Sequence, residues 1–335
     1  MPRKKAQPKP VAPLSASPFE QAWSGLRAPS APHPTVSARW LLIATSLAVL
    51  AAGACAWGTL CLLFWQGSWQ LLYHPTSAVT RTPASVGLAF DPVGFATTEA
   101  GQPLLKGWWI PAATDARYIR YTFLYLHGQN GNLGDTVDDL AALHAVGVNV
   151  LAIDYRGYGQ SQFAHPCEAR WREDTDWALQ YLTGTRHLAA NTIVLDGKDL
   201  GANLALEIGA LHPELAGIIL QEPLDAPVNA IFNDPRARLV PAHLLVRDRF
   251  DAIPPATALR IPSLWFLQSP TPGRVASPDH LGAFKKVTAP KMLVWLAPLP
   301  NANKDFENSL SRWLDDLPSN GRTLPGCQLG NGLAC

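Results

Sequence analysis

Asp199 stands at the centre of Gly197-Lys198-Asp199-Leu200-Gly201, with an apolar run before it at 192–196 and helically spaced apolar residues after it at 201–212. A general base cannot turn a carboxylate into an alkoxide as it can a serine hydroxyl, so serine-type acyl transfer at this position is excluded. A carboxylate nucleophile would form an ester with its substrate. Releasing that ester takes a base-activated water, and therefore a histidine.

Two further motifs precede this one. The apolar run 120–126 leads into His127-Gly128-Gln129-Asn130-Gly131-Asn132, and the run 148–154 ends in Asp154-Tyr155-Arg156-Gly157-Tyr158-Gly159-Gln160-Ser161. His127-Gly128 alone says little, because a glycine after a strand usually marks a turn. The three motifs in this order and spacing resemble the α/β-hydrolase superfamily, in its branch of monoacylglycerol-lipase-like and serine-aminopeptidase-like proteins. The likeness runs over about residues 70–317, taking in Leu71-Leu72-Tyr73-His74-Pro75 and Arg247-Asp248-Arg249-Phe250-Asp251.

The resemblance implies roles for particular residues. Asp199 falls at the nucleophile position of a strained strand-to-helix elbow, a turn that needs small residues two positions to either side, as Gly197 and Gly201 are. Backbone N–H groups of Gln129 and Leu200 fall at the oxyanion-hole positions. Haloalkane dehalogenases and epoxide hydrolases resemble this fold and attack alkyl carbon through aspartate. Tyr155, Arg156 and Tyr158 are expected to be scaffold.

The partners of Asp199 are missing from the loops where the resemblance places them. The loop after the last strand, 297–305, contains no histidine, and the loop after the strand 262–267, residues 268–276, contains no carboxylate. His280, beside Asp279, suits a capping role at a helix start. Glu222 or Asp225 would be alternative acids, but without a histidine they orient nothing. His127 is expected to support the oxyanion loop, and His144, His165, His187, His212 and His243 have structural readings. A carboxylate at a helix N-terminus is expected to be stabilised as the anion and to plug the oxyanion hole.

The expectation is a catalytically degenerate hydrolase-like protein that binds a ligand or partner. The alternative is an active hydrolase of ester or related bonds using Asp199, or a serine such as Ser161 or Ser269, with a histidine from an unexpected place.

The elements that must position these residues follow from periodicity. Strands are expected at 105–110, 120–126, 148–154, 192–196, 216–221, 262–267 and 292–296, with helices at 135–145, 171–182, 201–212 and 304–315. This alternation predicts an α/β fold with a mostly parallel sheet covered by helices on both faces. About forty residues separate the strand ending at Gln221 from the next, room for a small excursion and no large lid.

Ahead of this domain, residues 1–39 are rich in Pro, Ala and Ser and carry Arg3, Lys4, Lys5, Lys9, Arg27 and Arg39 against the single acid Glu20, which predicts a disordered tail. No charge occurs in the 25 positions from Leu41 to Trp65, enough for a helix to cross a bilayer. Trp40 marks one end; Trp65, Trp69 and Tyr73 mark the other. Basic residues crowd the N-terminal side, so the positive-inside rule places the tail in the cytoplasm and the main domain on the extracytoplasmic side. A cleaved signal peptide fits less well, because the tail and the apolar run are both too long. The expected organisation is a tail at 1–39, a single-pass transmembrane helix at 40–66, a hydrolase-fold domain at 70–317 and a C-terminal tail at 318–335.

A net charge of +1, with basic residues spread along the chain, argues against nucleic acid as a partner. The expected partners are the membrane and an unidentified protein or small-molecule ligand. The five cysteines show no zinc spacing, and no metal or cofactor is implied. Cys327 and Cys335 could close a small loop in an oxidising compartment or remain thiols.

Overall fold

Short apolar runs such as Val150-Leu151-Ala152-Ile153 are too uniformly apolar for a half-solvated strand, and a strand of that kind is stable only between two helical layers. The computed structural model describes residues 36–224, 226–268, 281–296 and 302–317, and the chain divides into two compact units, one ending at Ala56 and the other beginning at Trp57. The tails expected at 318–335 and over most of 1–39 lie outside the described residues.

The first described element is a 30-residue helix, α1 (Ala38–Gly67). At 1.5 Å per residue it is about 45 Å long. It is long and apolar enough to cross a membrane. Its side chains at Trp40, Leu42, Val49 and Leu50 are exposed.

The main sheet has eight strands. In chain order they are β2 (Asp91–Thr97), β3 (Pro103–Ile110), β4 (Thr122–Leu126), β6 (Asn149–Asp154), β7 (Ile193–Lys198), β8 (Gly217–Gln221), β9 (Ser263–Gln268) and β10 (Lys291–Leu296), and in space they run β10-β9-β8-β7-β4-β6-β3-β2. The two-residue segments β1 (His74–Pro75) and β5 (Asn130–Gly131) pair separately and in parallel. From β6 to β10 all neighbours are parallel; β3 is antiparallel to both β6 and β2.

Every strand expected from the sequence is present within two residues at each end. Periodicity gives no sign of β2, an edge strand containing Pro92 and Gly94 that buries only Phe95. Edge strands tolerate proline and need no continuous apolar run, so neither signal is there to find.

The helices α2 (Val137–Val146), α3 (Glu168–Gln180), α4 (Leu200–Leu211) and α9 (Ala302–Asp316) are those expected from periodicity. Strand alternation divides the core in two. Leu124 and Leu126 of β4 point to the face covered by Trp171 and Ala178 of α3 and by α4. Phe123 and Tyr125 point to the face covered by Leu140 and Leu143 of α2 and by Leu310 and Trp313 of α9. Between β8 and β9 the chain makes the short helices α5 (Asn229–Phe232), α6 (Ala242–Leu245) and α7 (Ile253–Ala258) and a 3₁₀ turn at Pro235–Leu239, a small excursion as expected. One more, α8 (Gly282–Lys286), precedes β10.

Candidate active site

In the sheet β4 and β7 are neighbours, and their register sets Leu126 opposite Gly197. The loop after β4 and the turn after β7 therefore emerge side by side, at the carboxyl ends of parallel strands where open α/β sheets bind ligands. Asp199 connects β7 to α4 with φ 51° and ψ −120°. A non-glycine residue held at positive φ, backbone that favours glycine, costs on the order of 1–3 kcal/mol and persists only where its surroundings hold it. Here the Asp199 N–H donates to the Gln221 carbonyl at 2.8 Å and the Asp199 carbonyl accepts from Ala202 at 3.0 Å.

Both flanking glycines are sterically required. A Cβ on Gly197 would collide with the backbone of Gly201, and one on Gly201 would collide with the carbonyls of Leu126 and His127. The turn closes because these positions are bare. Gly128 faces the apex as well: a Cβ there would lie 2.9 Å from Asp199 Oδ2.

The structure brings Asp199, Gln129 and Leu200 together. The Leu200 N–H donates to the side-chain Oε1 of Gln129 at 3.3 Å. The backbone of Gln129 is fixed too, its carbonyl accepting from the His74 N–H at 2.9 Å and from the Tyr158 hydroxyl at 2.9 Å. The amide at the oxyanion position is thus occupied from the opposite loop.

Asp199 itself departs from the expectation of a stabilised anion filling the hole. Its side chain makes no capping bond to α4. Burial pushes its carboxyl pKa above the usual range, with Lys198 opposing and Asp139 adding to the rise. The Lys198 ammonium is held elsewhere, 2.6 Å from Asp139 Oδ2, which also accepts from Tyr125 Oη at 2.9 Å. Desolvation of the carboxylate therefore outweighs its favourable position at the start of a helix.

The supporting loops are tightly bonded. Tyr155 donates to the His127 carbonyl at 3.2 Å and stacks on Trp171 at 4.0 Å between centroids. Arg156 clamps α3 through Asp174 at 2.6 Å and through Glu173. His127 is buried, with Nδ1 2.7 Å from the Gly128 carbonyl and Nε2 3.5 Å from Asp154 Oδ1. Burial lowers the His127 pKa to about 4 and raises that of Asp154 to about 7, so at neutral pH His127 is uncharged.

Among the described residues no histidine hydrogen-bonds or ion-pairs with Asp199. His74 meets Asn130, His144 the Pro111 carbonyl, and His212 Glu214 and Asp176; His165 packs on Trp69 and Phe163, and His243 on Phe232. Ser161 has a backbone role, donating to the Asp154 carbonyl at 2.6 Å and accepting from the Lys106 N–H at 2.9 Å. Glu222 Oε1 takes the Gln268 N–H at 2.5 Å. Asp225, Ser269, Asp279, His280 and the segment 297–301 lie outside the described residues. Among the described residues no three His, Cys, Asp or Glu side chains gather as a metal would require.

One joint has no signal in the sequence. Tyr73, in the stretch Leu71–Pro75, donates to Asp248 Oδ2, in the stretch Arg247–Asp251, at 2.9 Å. Each stretch stands out by its residues, but nothing in either one indicates that the two meet.

Residues 121–266 match the family model described as alpha/beta hydrolase fold. The chain is an α/β-hydrolase-fold protein. An esterase of Pyrococcus furiosus superposes with a TM-score of 0.55 at 16% identity, over 73% of this chain and 98% of that one. The α/β hydrolase GrgF of a Penicillium species does so at 0.50 and 19%, over 68% and 97%. An uncharacterized protein of Mycobacterium tuberculosis is 26% identical over 221 residues, 65% of this chain and 75% of that protein. Protein bem46 of Schizosaccharomyces pombe is 32% identical over 104 residues, which cover 31% of this chain and 34% of that protein. At such identities the likeness to solved α/β hydrolases concerns the fold, and the chemistry has to be read from the site.

Proposed function

We propose that this α/β-hydrolase-fold protein is catalytically degenerate, is anchored to a membrane by α1 as a single-pass protein with its N-terminus in the cytoplasm, and acts by binding a ligand or protein partner. The observation that carries the reading is at the elbow. Asp199 sits at the apex in the strained conformation, with no histidine bonded to it among the described residues, and Gln129 Oε1 holds the Leu200 amide. The sequence supports it as well, since the loops 268–276 and 297–305 lack the acid and the histidine. Nucleic acid has no part in this reading.

The test is turnover by the purified full chain across a panel of p-nitrophenyl esters and amides, beside Asp199→Ala. The expected result is buffer-level hydrolysis by both proteins. Turnover by the wild type that disappears in Asp199→Ala would sink the degenerate reading in favour of a working aspartate nucleophile. Turnover that survives in Asp199→Ala would point to a serine elsewhere.

A further inference from the structure

Away from the elbow, a cavity of about 880 Å³ opens where α1 ends. Its walls include Trp65, Trp69, Tyr73, His165, Arg170 and Arg247. Residues from Trp57 onward belong to the same compact unit as the sheet, and Phe64 of α1 is buried against its core.

Two guanidinium groups line this cavity without a carboxylate partner among the described residues. Arg247 lies over the Trp65 ring at 5.7 Å. Arg170 donates to the His165 carbonyl and, at 3.8 Å, to Cys167 Sγ. The acid in the wall, Asp248, accepts from the Tyr73 hydroxyl at 2.9 Å, and two guanidinium groups against this one carboxyl give the lining an excess of positive charge. Two guanidinium forks lining one cavity suit a phosphate ester, which accepts bidentate hydrogen bonds.

The setting selects the source of that phosphate. The cavity begins at the C-terminal end of an apolar 30-residue helix, beside Trp65 and Trp69, the residue type that settles at headgroup depth. On the short excursion after β8, whose Val246 and Arg247 line the cavity, the side chain of Leu244 is 84% exposed and that of Leu239 61%. Phe163, packed on His165 of the cavity wall, is 84% exposed. Apolar side chains standing free around a cationic cavity fit a bilayer surface better than bulk water.

We propose that this cavity binds the phosphate of an anionic glycerophospholipid headgroup, with Arg170 and Arg247 as its ligands and Trp65 and Trp69 as walls. The site rests on the reading of α1 as a membrane anchor, and its test separates the two.

The full chain would be reconstituted into phosphatidylcholine vesicles and into 4:1 phosphatidylcholine:phosphatidylglycerol vesicles, and flotation scored in both. Binding would then be read as tryptophan quenching by brominated phosphatidylglycerol in detergent micelles. Flotation with both vesicle types is expected, together with saturable quenching that weakens at least tenfold in Arg170→Ala/Arg247→Ala. Arg247→Ala alone, at an exposed position that folding tolerates, should lose several-fold, and Arg247→Lys should recover part of it. Equal quenching by brominated phosphatidylcholine, or an unchanged double variant that floats normally, overturns the headgroup site and leaves the anchor standing. Displacement of the lipid by millimolar inorganic phosphate assigns the cavity to a soluble phosphate and overturns the lipid. A chain that floats with neither vesicle overturns the anchor and the site together.

Discussion

Gln129 Oε1 accepts the Leu200 N–H at 3.3 Å, a bond across the two loops that an α/β hydrolase would use to stabilise an oxyanion. A working oxyanion hole keeps that donor free for developing negative charge. In this chain the donor is satisfied by a neutral amide. Asp199 beside it is a partly desolvated carboxyl with a raised pKa. The geometry of the catalytic turn is present, and its hydrogen-bonding capacity is used internally.

Freeing that donor and supplying a hydroxyl should therefore be insufficient. In Asp199→Ser/Gln129→Ala the Leu200 amide is unblocked and the apex carries an alcohol, but the turn has gained neither base nor acid. Hydrolysis of p-nitrophenyl acetate by this variant, and by Asp199→Ser alone, is expected to stay at the buffer rate. Esterase activity in either would reveal a histidine within about 3 Å of the new hydroxyl.

Much of this arrangement is legible in the residues. Gly197 and Gly201 flag the turn because only bare backbone permits the approach of β7, α4 and the β4 loop, and a glycine at such a place is visible in the chain itself. The parallel strands are legible because burial on both faces writes them as continuous apolar runs, whereas β2, half exposed at an edge, leaves no such run. The contact between Gln129 and Leu200 is not legible. It depends on which rotamer a glutamine takes across a strand crossover seventy-one positions long, and local sequence carries no signal for that. The raised Asp199 pKa escapes the sequence for a related reason. Helix position is a sequence property, but burial is a tertiary one.

The elbow's packing predicts a large asymmetry between glycines. Gly201→Ala puts a methyl group into the Leu126 and His127 carbonyls and should destabilise the domain by at least about 2 kcal/mol in urea unfolding, although alanine is intrinsically the better helix residue by about 1 kcal/mol. Gly184, with nothing among the described residues within 4 Å of an added Cβ, is the control, and Gly184→Ala should be neutral or slightly stabilising. Equal effects at the two positions would show that the close approach is absent in solution.

The strained apex should yield stability when released. Asp199→Gly removes a side chain held at φ 51° and a carboxyl whose burial Lys198 only partly offsets, so a gain of about 1 kcal/mol is expected in the same unfolding assay. Asp199→Ala keeps the Cβ and should gain less. If glycine is the more destabilising of the two, the strain is not relieved by substitution there and Asp199 makes a favourable interaction.

Asp196, three residues before the apex, supplies a pH-dependent test of the same buried layer. Gln221 Nε2 donates to its Oδ1 at 2.8 Å while Oδ2 has no hydrogen-bond partner among the described residues, and burial raises its pKa from 3.8 to about 7. Between those two values the folded chain holds a proton that the unfolded chain has released. Its contribution to stability is thus present in full below about pH 4 and is lost as pH rises to about 7. The amide that replaces the carboxyl in Asp196→Asn has no proton to lose. The stability of this variant relative to wild type should therefore climb across that window, by at most a few kcal/mol, since each tenfold change in proton affinity corresponds to about 1.4 kcal/mol. Asp154 and His127 titrate in both proteins and cancel in the difference, while the orphaned position at Oδ2 adds only a constant offset. Unfolding by urea at about pH 4.5, about pH 6 and about pH 7.5 reads the slope. A flat difference would show that Asp196 is ionised in the folded protein and that water or a rearranged side chain solvates it.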